Sequence, residues 1–260
     1  MNALQAAILP PHAGAAWILQ GVHLFRRQPM AMLFWSIATS FFINLCALIP
    51  VLGQTALVLL TPLLTFLTLC TCRNVDQGVR MMPGLWLQPL RAAPVGGPLL
   101  KLGLAYLGCS ILAALAAVLP FLSSMLDALG TAEQIDYAAL AQAMQGPMIV
   151  FGLFYIVLSA LFWHTPALVG WHGLPLRRAL FYSMVACWRN KYALIVYVAC
   201  WAAVFFGLHG LLDGLAALGV PELLLAWLSM PLDIVITALL YCSFYPIYTT
   251  IFRARTAAAT

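Results

Sequence analysis

Few polar side chains lie within the apolar runs of this sequence, and only these could do chemistry there. Asn44, Gln54, His164 and Asp233 each lie inside or beside such a run. Polar groups in apolar surroundings are costly to bury, so they can mark a ligand site or an ion pathway. The structural interpretation is that the amides and His164 bond to neighbouring helices, and that Asp233 is a first-turn acid of the last helix. The sequence favours this structural interpretation.

A second group of polar side chains is cationic and lies close to tryptophan. Arginine pairs bidentately with phosphate, and an indole ring favours the level of lipid headgroups. This combination predicts contact with anionic phospholipid, and the alternative is that the residues only anchor and orient helices. The candidate headgroup-binding residues are Arg26, Arg27, Arg177, Arg178, Arg189 and Lys191, and the candidate interfacial aromatics are Trp17, Trp171 and Trp188.

Catalytic and metal-binding motifs are missing from the sequence. It has no glycine-rich phosphate loop, zinc motif, nucleophile elbow or pair of carboxylates. Seven cysteines are an odd number, and Cys70 and Cys72 have no histidine or acidic ligands beside them. A haem with two histidine ligands would need His164 and His209 at one depth, which the apolar runs do not predict. We therefore expect no catalytic residue, no metal, no cofactor and no enzymatic activity.

The composition indicates the class of protein. Hydrophobic residues make up 64% of the chain and charged residues 7%, which is too few charges for a water-exposed surface. No charged residue occurs between Arg27 and Arg73, a run longer than two membrane spans of about 20 residues. The sequence therefore predicts an all-α, polytopic integral membrane protein.

Six transmembrane helices are predicted, paired as three hairpins in a single membrane domain, 1–260. Pro50 and Gly53 divide the first long run into two spans. Pro231 predicts that the last run is an interfacial piece followed by a span. The predicted spans are residues 30–48, 52–71, 99–119, 148–170, 192–211 and 231–251.

The basic residues predict the orientation of these spans. All twelve Lys and Arg residues fall in segments on one side of a six-span arrangement. Basic residues are retained in the cytoplasm, so both termini are predicted to be cytoplasmic. Five of the seven acidic residues fall on the opposite side. We expect a multi-pass protein of the bacterial inner membrane.

Segments rich in aromatic and basic residues precede each predicted hairpin, at 15–27, 85–97 and 176–190. Each predicts an amphipathic helix at the cytoplasmic interface, and Pro89 and Pro94 predict that the middle one is bent. The first has an apolar face of Trp17, Gly21, Leu24 and Phe25, and the third one of Leu176, Leu180, Met184, Cys187 and Trp188.

Several motifs carry a resemblance to a known family. They are Trp17 with the run 21–29, the 49–53 turn, Pro62, and the later stretches 166–173 and 186–190. With these the chain resembles an uncharacterised proteobacterial family of multi-pass inner-membrane proteins, which has no catalytic residues to transfer. The alternation of interfacial helices and hairpins is also similar to the membrane domain of some glycerophosphodiester phosphodiesterases, and implies a lipid-facing architecture.

Two functions remain open at this stage. The first is a non-enzymatic accessory or scaffold protein that binds anionic lipid, a partner membrane protein, or both, and does not bind nucleic acid. The alternative is a small-solute transporter or channel, which Pro62, Pro166 and Pro246 within the spans would favour.

Overall fold

Helices make up almost all of the computed structural model, which describes residues 6–92, 95–129 and 137–252. No strand occurs within these ranges, so the predicted all-α class is confirmed. The helices are α1 Ala13–Arg27, α2 Pro29–Ala47, α3 Leu52–Asp76, α4 Gln88–Ala92, α5 Gly96–Val118, α6 Leu122–Leu129, α7 Tyr137–Phe162, α8 Thr165–His172, α9 Leu176–Arg189, α10 Lys191–Ala217 and α11 Glu222–Ile251.

Six helical stretches in the described ranges are long and apolar enough to cross a membrane, as predicted. Two of them combine elements, because a 3₁₀ turn links α5 to α6 and a short break separates α7 from α8. The stretches are Pro29–Ala47, Leu52–Asp76, Gly96–Ala128, Ala138–His172, Lys191–Ala217 and Glu222–Ile251.

The predicted break at Pro231 is wrong. The helix α11 runs without interruption for 30 residues and contains both Pro231 and Pro246. A proline removes one backbone hydrogen bond, but in apolar surroundings the remaining bonds of the helix have no competing water partner. Asp233 consequently lies well inside α11, and the prediction that it is a first-turn acid is also wrong.

The predicted turn between the first two spans is confirmed, since α2 ends at Ala47 and α3 begins at Leu52. Val51 has a φ of +62° and a ψ of −60°. The Leu52 N–H donates to the Pro50 carbonyl at 2.7 Å, which closes a three-residue γ-turn. Position 53 requires glycine, because a Cβ there would collide with the Cys46 carbonyl. The two spans are therefore joined by a tight, strained reversal.

Helix α1 packs between the ends of α10 and α11. A Cβ on Gly14 would collide with the α10 backbone, and one on Gly21 would lie 2.9 Å from the Ser243 backbone of α11. The predicted amphipathic face of α1, with Trp17, Gly21 and Leu24, is therefore buried against protein. The placement of this helix at a membrane interface stays a prediction, as does the pairing of α10 with α11 as a hairpin.

Both ends of the described chain meet at one end of the bundle. The Ala7 N–H donates to the Ile251 carbonyl at 2.8 Å, and the Leu9 N–H donates to Asn190 Oδ1 at 2.9 Å. We call this the terminal end. Its assignment to the cytoplasm stays a prediction, and Arg253 and Arg255 lie outside the described residues.

The predicted middle interfacial segment is irregular, as its prolines indicated. A 3₁₀ turn at Pro83–Leu85 precedes the five-residue α4. Gln28 holds the chain leading to it, because its side-chain NH₂ donates to the Val79 carbonyl and its oxygen accepts from the Met81 N–H.

Candidate functional site

One side of α9 presents basic and aromatic side chains to the outside of the protein. The opposite side is small and buried, with Ala179, Ser183, Ala186 and Cys187 packed against the bundle. At about 100° per residue, the exposed positions share roughly one third of the helix circumference. We call this set the α9 outer face: Arg177, Arg178, Phe181, Trp188 and Arg189, all of them exposed.

The predicted apolar face of α9 was partly wrong. Cys187 is buried, whereas its neighbour Trp188 is 68% exposed. Both residues were assigned to one face because both are apolar, but in a membrane protein apolar residues face lipid as well as protein. Small residues identify the protein-facing side of α9.

The α9 outer face continues onto the start of α10. The Lys191 ammonium lies 4.4 Å from the centre of the Trp188 ring and 5.3 Å from that of Tyr192. An ammonium held over two aromatic rings is a cation–π arrangement. Four of the six predicted headgroup-binding residues, Arg177, Arg178, Arg189 and Lys191, therefore belong to one continuous surface.

Asn190 fixes the junction of α9 and α10. Its side chain is buried, and its NH₂ donates to the Ala7 and Ala186 carbonyls at 2.8 and 3.0 Å. Burial also raises the pKa of the neighbouring Cys187 thiol to about 12. The thiol is therefore protonated at physiological pH, which leaves it a packing role.

The two remaining predicted basic residues lie elsewhere. Arg27 pairs with Asp76 of α3, with 3.0 Å between Nη1 and Oδ1, and the same nitrogen donates to the Asp76 backbone carbonyl. Arg26 is exposed beside it. Arg27 also borders a cleft of about 420 Å³ that includes Gln20, His23, Tyr245 and Thr249.

The three predicted interfacial tryptophans have different surroundings. Trp17 is 1% exposed, and its indole N–H donates to Thr250 Oγ1 at 2.8 Å. Trp171 is half-buried against Tyr248, and the Arg73 guanidinium lies 5.3 Å from its ring. Of the three, Trp188 is the one whose ring is open to the surroundings of the protein.

Three of the predicted intramembrane polar residues are not buried together. Asn44 is exposed and donates to the Ser40 carbonyl of its own helix at 2.8 Å. Gln54 is exposed near the α2–α3 turn. Asp233 Oδ1 lies 3.8 Å from His209 Nε2, and both side chains are about half exposed. The structure does not bring Asn44, Gln54 and His164 into one passage.

His164 lies at the break between α7 and α8. The Ser183 hydroxyl of α9 accepts from the His164 backbone N–H at 3.0 Å and donates to the Ala160 carbonyl at 2.8 Å. A hydroxyl therefore bridges the two groups that an unbroken helix would join directly. Pro166 follows within the first turn of α8. Ser183, which no sequence pattern distinguishes, therefore pairs the backbone groups at this break.

The His164 side chain lines a cleft of about 260 Å³ between α3, α5, α7 and α11. It is fully buried, and Nε2 has no hydrogen-bond partner among the described residues. Pro62 and Pro166 line the same cleft, so three residues singled out in the sequence do meet. The lining also includes Thr61, Thr65, Tyr106, Tyr155, Ser159, Phe162, Trp163, Phe244 and Tyr248.

The tyrosines and Ser159 were missed because nothing in the sequence distinguishes them from other polar residues of apolar helices. Their proximity depends on how α5 and α7 pack. Within the described ranges, no cluster of three or more His, Cys, Asp or Glu residues is arranged to hold a metal.

One relative matches this chain over most of its length. A probable inner membrane protein of Burkholderia thailandensis is 34% identical over 249 residues, which cover 90% of this chain and 89% of the relative. The chain belongs to this inner-membrane protein family. The predicted resemblance to an inner-membrane family is thereby confirmed, and six apolar helices fit an integral membrane protein.

No family model matches the chain, and no solved structure matches it. Membership in the inner-membrane family carries no activity, because the relative's description states a location alone. The likeness to the glycerophosphodiester phosphodiesterase membrane domain stays a prediction.

Proposed function

We propose that the protein is a non-enzymatic inner-membrane component that binds anionic lipid headgroups through the α9 outer face, as an accessory or scaffold for a partner membrane protein. The observation that carries the proposal is the exposure of Arg177, Arg178 and Arg189 on the same side of α9 as Trp188. No carboxylate pairs with these arginines among the described residues, whereas Arg27 is already paired with Asp76.

The chemistry of this surface suits a phosphodiester. Guanidinium groups donate two parallel hydrogen bonds to phosphate oxygens, and the indole ring of Trp188 favours the depth at which lipid headgroups lie. Each basic residue near an anionic leaflet contributes about 1 kcal/mol. The buried small side of α9 keeps the helix against the bundle, so the outer face is presented as a fixed surface.

The test is lipid retention by two variants that lose the same charge. Arg177→Gln/Arg178→Gln removes two guanidinium groups from the α9 outer face, and Arg80→Gln/Arg91→Gln removes two exposed ones outside it. We expect the first variant to bind phosphatidylglycerol about 30-fold more weakly in native mass spectrometry titrations, from a loss of about 2 kcal/mol. The matched control should retain most of the wild-type affinity. If the two variants bound phosphatidylglycerol equally well, the α9 outer face would not be the lipid-binding surface.

A transporter or channel is the second candidate, and one observation favours it. Pro62, His164 and Pro166 line one cleft, and helix irregularities near a buried polar group are common at transport sites. Cysteine replacements at positions 44, 54 and 164 separate the two functions. Positions 44 and 54 are exposed on the outside of the bundle, so their labelling does not report on an internal pathway, and position 164 decides. A water-soluble maleimide should leave it unlabelled in an accessory protein and label it in a water-filled pathway.

A further inference from the structure

The cleft beside His164 has features of a ligand site that the lipid-headgroup proposal does not use. We propose that it binds a neutral, bilayer-soluble ring compound bearing carbonyl oxygens, the chemical class of the lipid quinones. The proposal concerns binding alone. It rests on the cleft's position, its unpaired polar groups, its aromatic walls and its lack of charge.

The position of the cleft indicates entry from the lipid. Tyr155, which borders it, is 51% exposed on a stretch of α7 where Met148, Ile149, Leu153 and Ile156 are exposed as well. This stretch belongs to one of the six membrane-capable helices, so its exposed apolar side suits contact with hydrocarbon. A compound that enters there must itself be soluble in the bilayer, because charged groups at this depth are costly.

Several polar groups of the cleft are available to such a compound. Within the described part of the chain, the buried His164 Nε2 has no hydrogen-bond partner. The hydroxyls of Tyr106, Tyr155 and Ser159 are partly open and make no hydrogen bond to another described residue. The lining threonines differ, since Thr65 donates to the carbonyl of its own helix at 2.9 Å. Hydroxyl donors without acceptors match a ligand that offers carbonyl oxygens, and buried polar groups normally find such a partner.

The walls of the cleft suit a flat ring. Tyr106 packs edge-on against Phe162 with 4.9 Å between ring centres, and Trp163 packs edge-on against Phe244 at 5.7 Å. Aromatic walls with a few placed polar groups are typical of small-molecule sites. About 260 Å³ accommodates a ring headgroup while its chain extends into the bilayer. None of the lining residues is charged, which argues against a phosphate group there.

Photolabelling of the full-length protein tests the proposal. The protein is placed in nanodiscs of zwitterionic lipid and irradiated with an azidobenzoquinone that carries a ten-carbon chain. We expect saturable labelling with one probe per protein, on peptides of α5 or α7 that line the cleft. Labelling that rises linearly with probe concentration, or that maps to helices outside the cleft, would overturn the proposal.

Two double variants sharpen this test. Tyr155→Phe/Ser159→Ala removes two hydroxyls from the cleft, and Tyr182→Phe/Ser229→Ala removes the same groups outside it. The first should raise the half-saturating probe concentration about tenfold and the second should leave it unchanged. Equal values for the two variants would contradict the proposed contacts. Loss of labelling when phosphatidylglycerol is added would make a phospholipid the occupant and also overturn the proposal.

Discussion

The two halves of α11 show how the ends of this bundle differ. Towards the terminal end, Ala238, Cys242, Ser243 and Ile247 are fully buried. In the first turns of the same helix, Leu223, Leu224, Trp227 and Met230 are largely exposed. Three of these four fully buried residues are small, whereas the four exposed ones are large and apolar. At these positions hydrophobicity alone does not separate the side that faces protein from the side that faces outwards.

Several hydrogen bonds between elements lie at the terminal end. There Trp17 bonds to Thr250, Tyr197 to Ser243 and His172 to Tyr248, at 2.8, 2.6 and 2.8 Å. Specific side-chain bonds therefore join α1, α8, α10 and α11 at this end. The terminal end of α11 is tied to its neighbours by packing and by these bonds, whereas the first turns of the same helix expose large apolar side chains.

Gly21→Leu should disrupt the packing of α1 against α11 at the terminal end and have the largest effect on stability. A Cβ at this position already lies 2.9 Å from the Ser243 backbone, so α1 must move away from α11. We expect a loss of about 3 kcal/mol in the free energy of unfolding, measured by detergent-induced unfolding. Gly207→Leu is the matched control, because nothing lies within 4 Å of a Cβ there. Equal destabilisation by both changes would contradict the division between the two ends.

Asn190→Ala should have an intermediate effect. It removes the bonds to Ala7 and Leu9 and leaves a backbone N–H and a carbonyl unpaired, at a cost of about 2 kcal/mol. We expect limited proteolysis to cleave the first residues of this variant sooner than those of the wild type. Asn44→Ala removes an exposed amide near the other end and should change neither stability nor cleavage. Unchanged cleavage in Asn190→Ala would contradict the proposal that Asn190 holds the start of the chain against the bundle.

The smallest effect is expected at Cys187, whose thiol should not react with maleimide in the folded protein. Burial raises its pKa to about 12, so only a trace of the reactive thiolate is present near neutral pH, and the sulfur is also shielded by the bundle. In the folded protein, Cys187 should therefore stay essentially unlabelled by maleimide between about pH 7 and pH 9. A cysteine placed at the exposed position 188 should react, with a rate that rises across this range. Mass spectrometry of the labelled peptide distinguishes the two sites.

The sequence predicted the number of spans because the length of each charge-free run shows how many spans of about 20 residues it can contain. It also predicted the turn after Pro50, where proline and glycine lie close together. It was wrong about Pro231 because apolar surroundings stabilise a helix through proline, a context that a local rule does not include. It misjudged the faces of α9 because Cys187 and Trp188 are equally apolar, although they face opposite environments.

The candidate sites were predictable to different degrees. The sequence grouped three arginines and a lysine as headgroup-binding residues, but it placed Trp188 on one face with Cys187, so the surface that Trp188 shares with the arginines did not follow from the sequence. The cleft did not follow, because Tyr106, Tyr155 and His164 belong to elements whose packing no sequence period reveals. Nor did the role of Ser183, whose hydroxyl bridges a break in another helix.

Fluorescence quenching by brominated lipids tests headgroup binding at the α9 outer face, because Trp188 itself reports which lipid lies beside it. The protein is reconstituted in phosphatidylcholine with increasing phosphatidylglycerol, one of the two lipids being brominated, and the signal of Trp188→Phe is subtracted. Phosphatidylglycerol should be enriched several-fold beside Trp188, and Arg177→Gln/Arg178→Gln should abolish the enrichment. Equal quenching by both brominated lipids in the wild-type protein would contradict headgroup binding at this face.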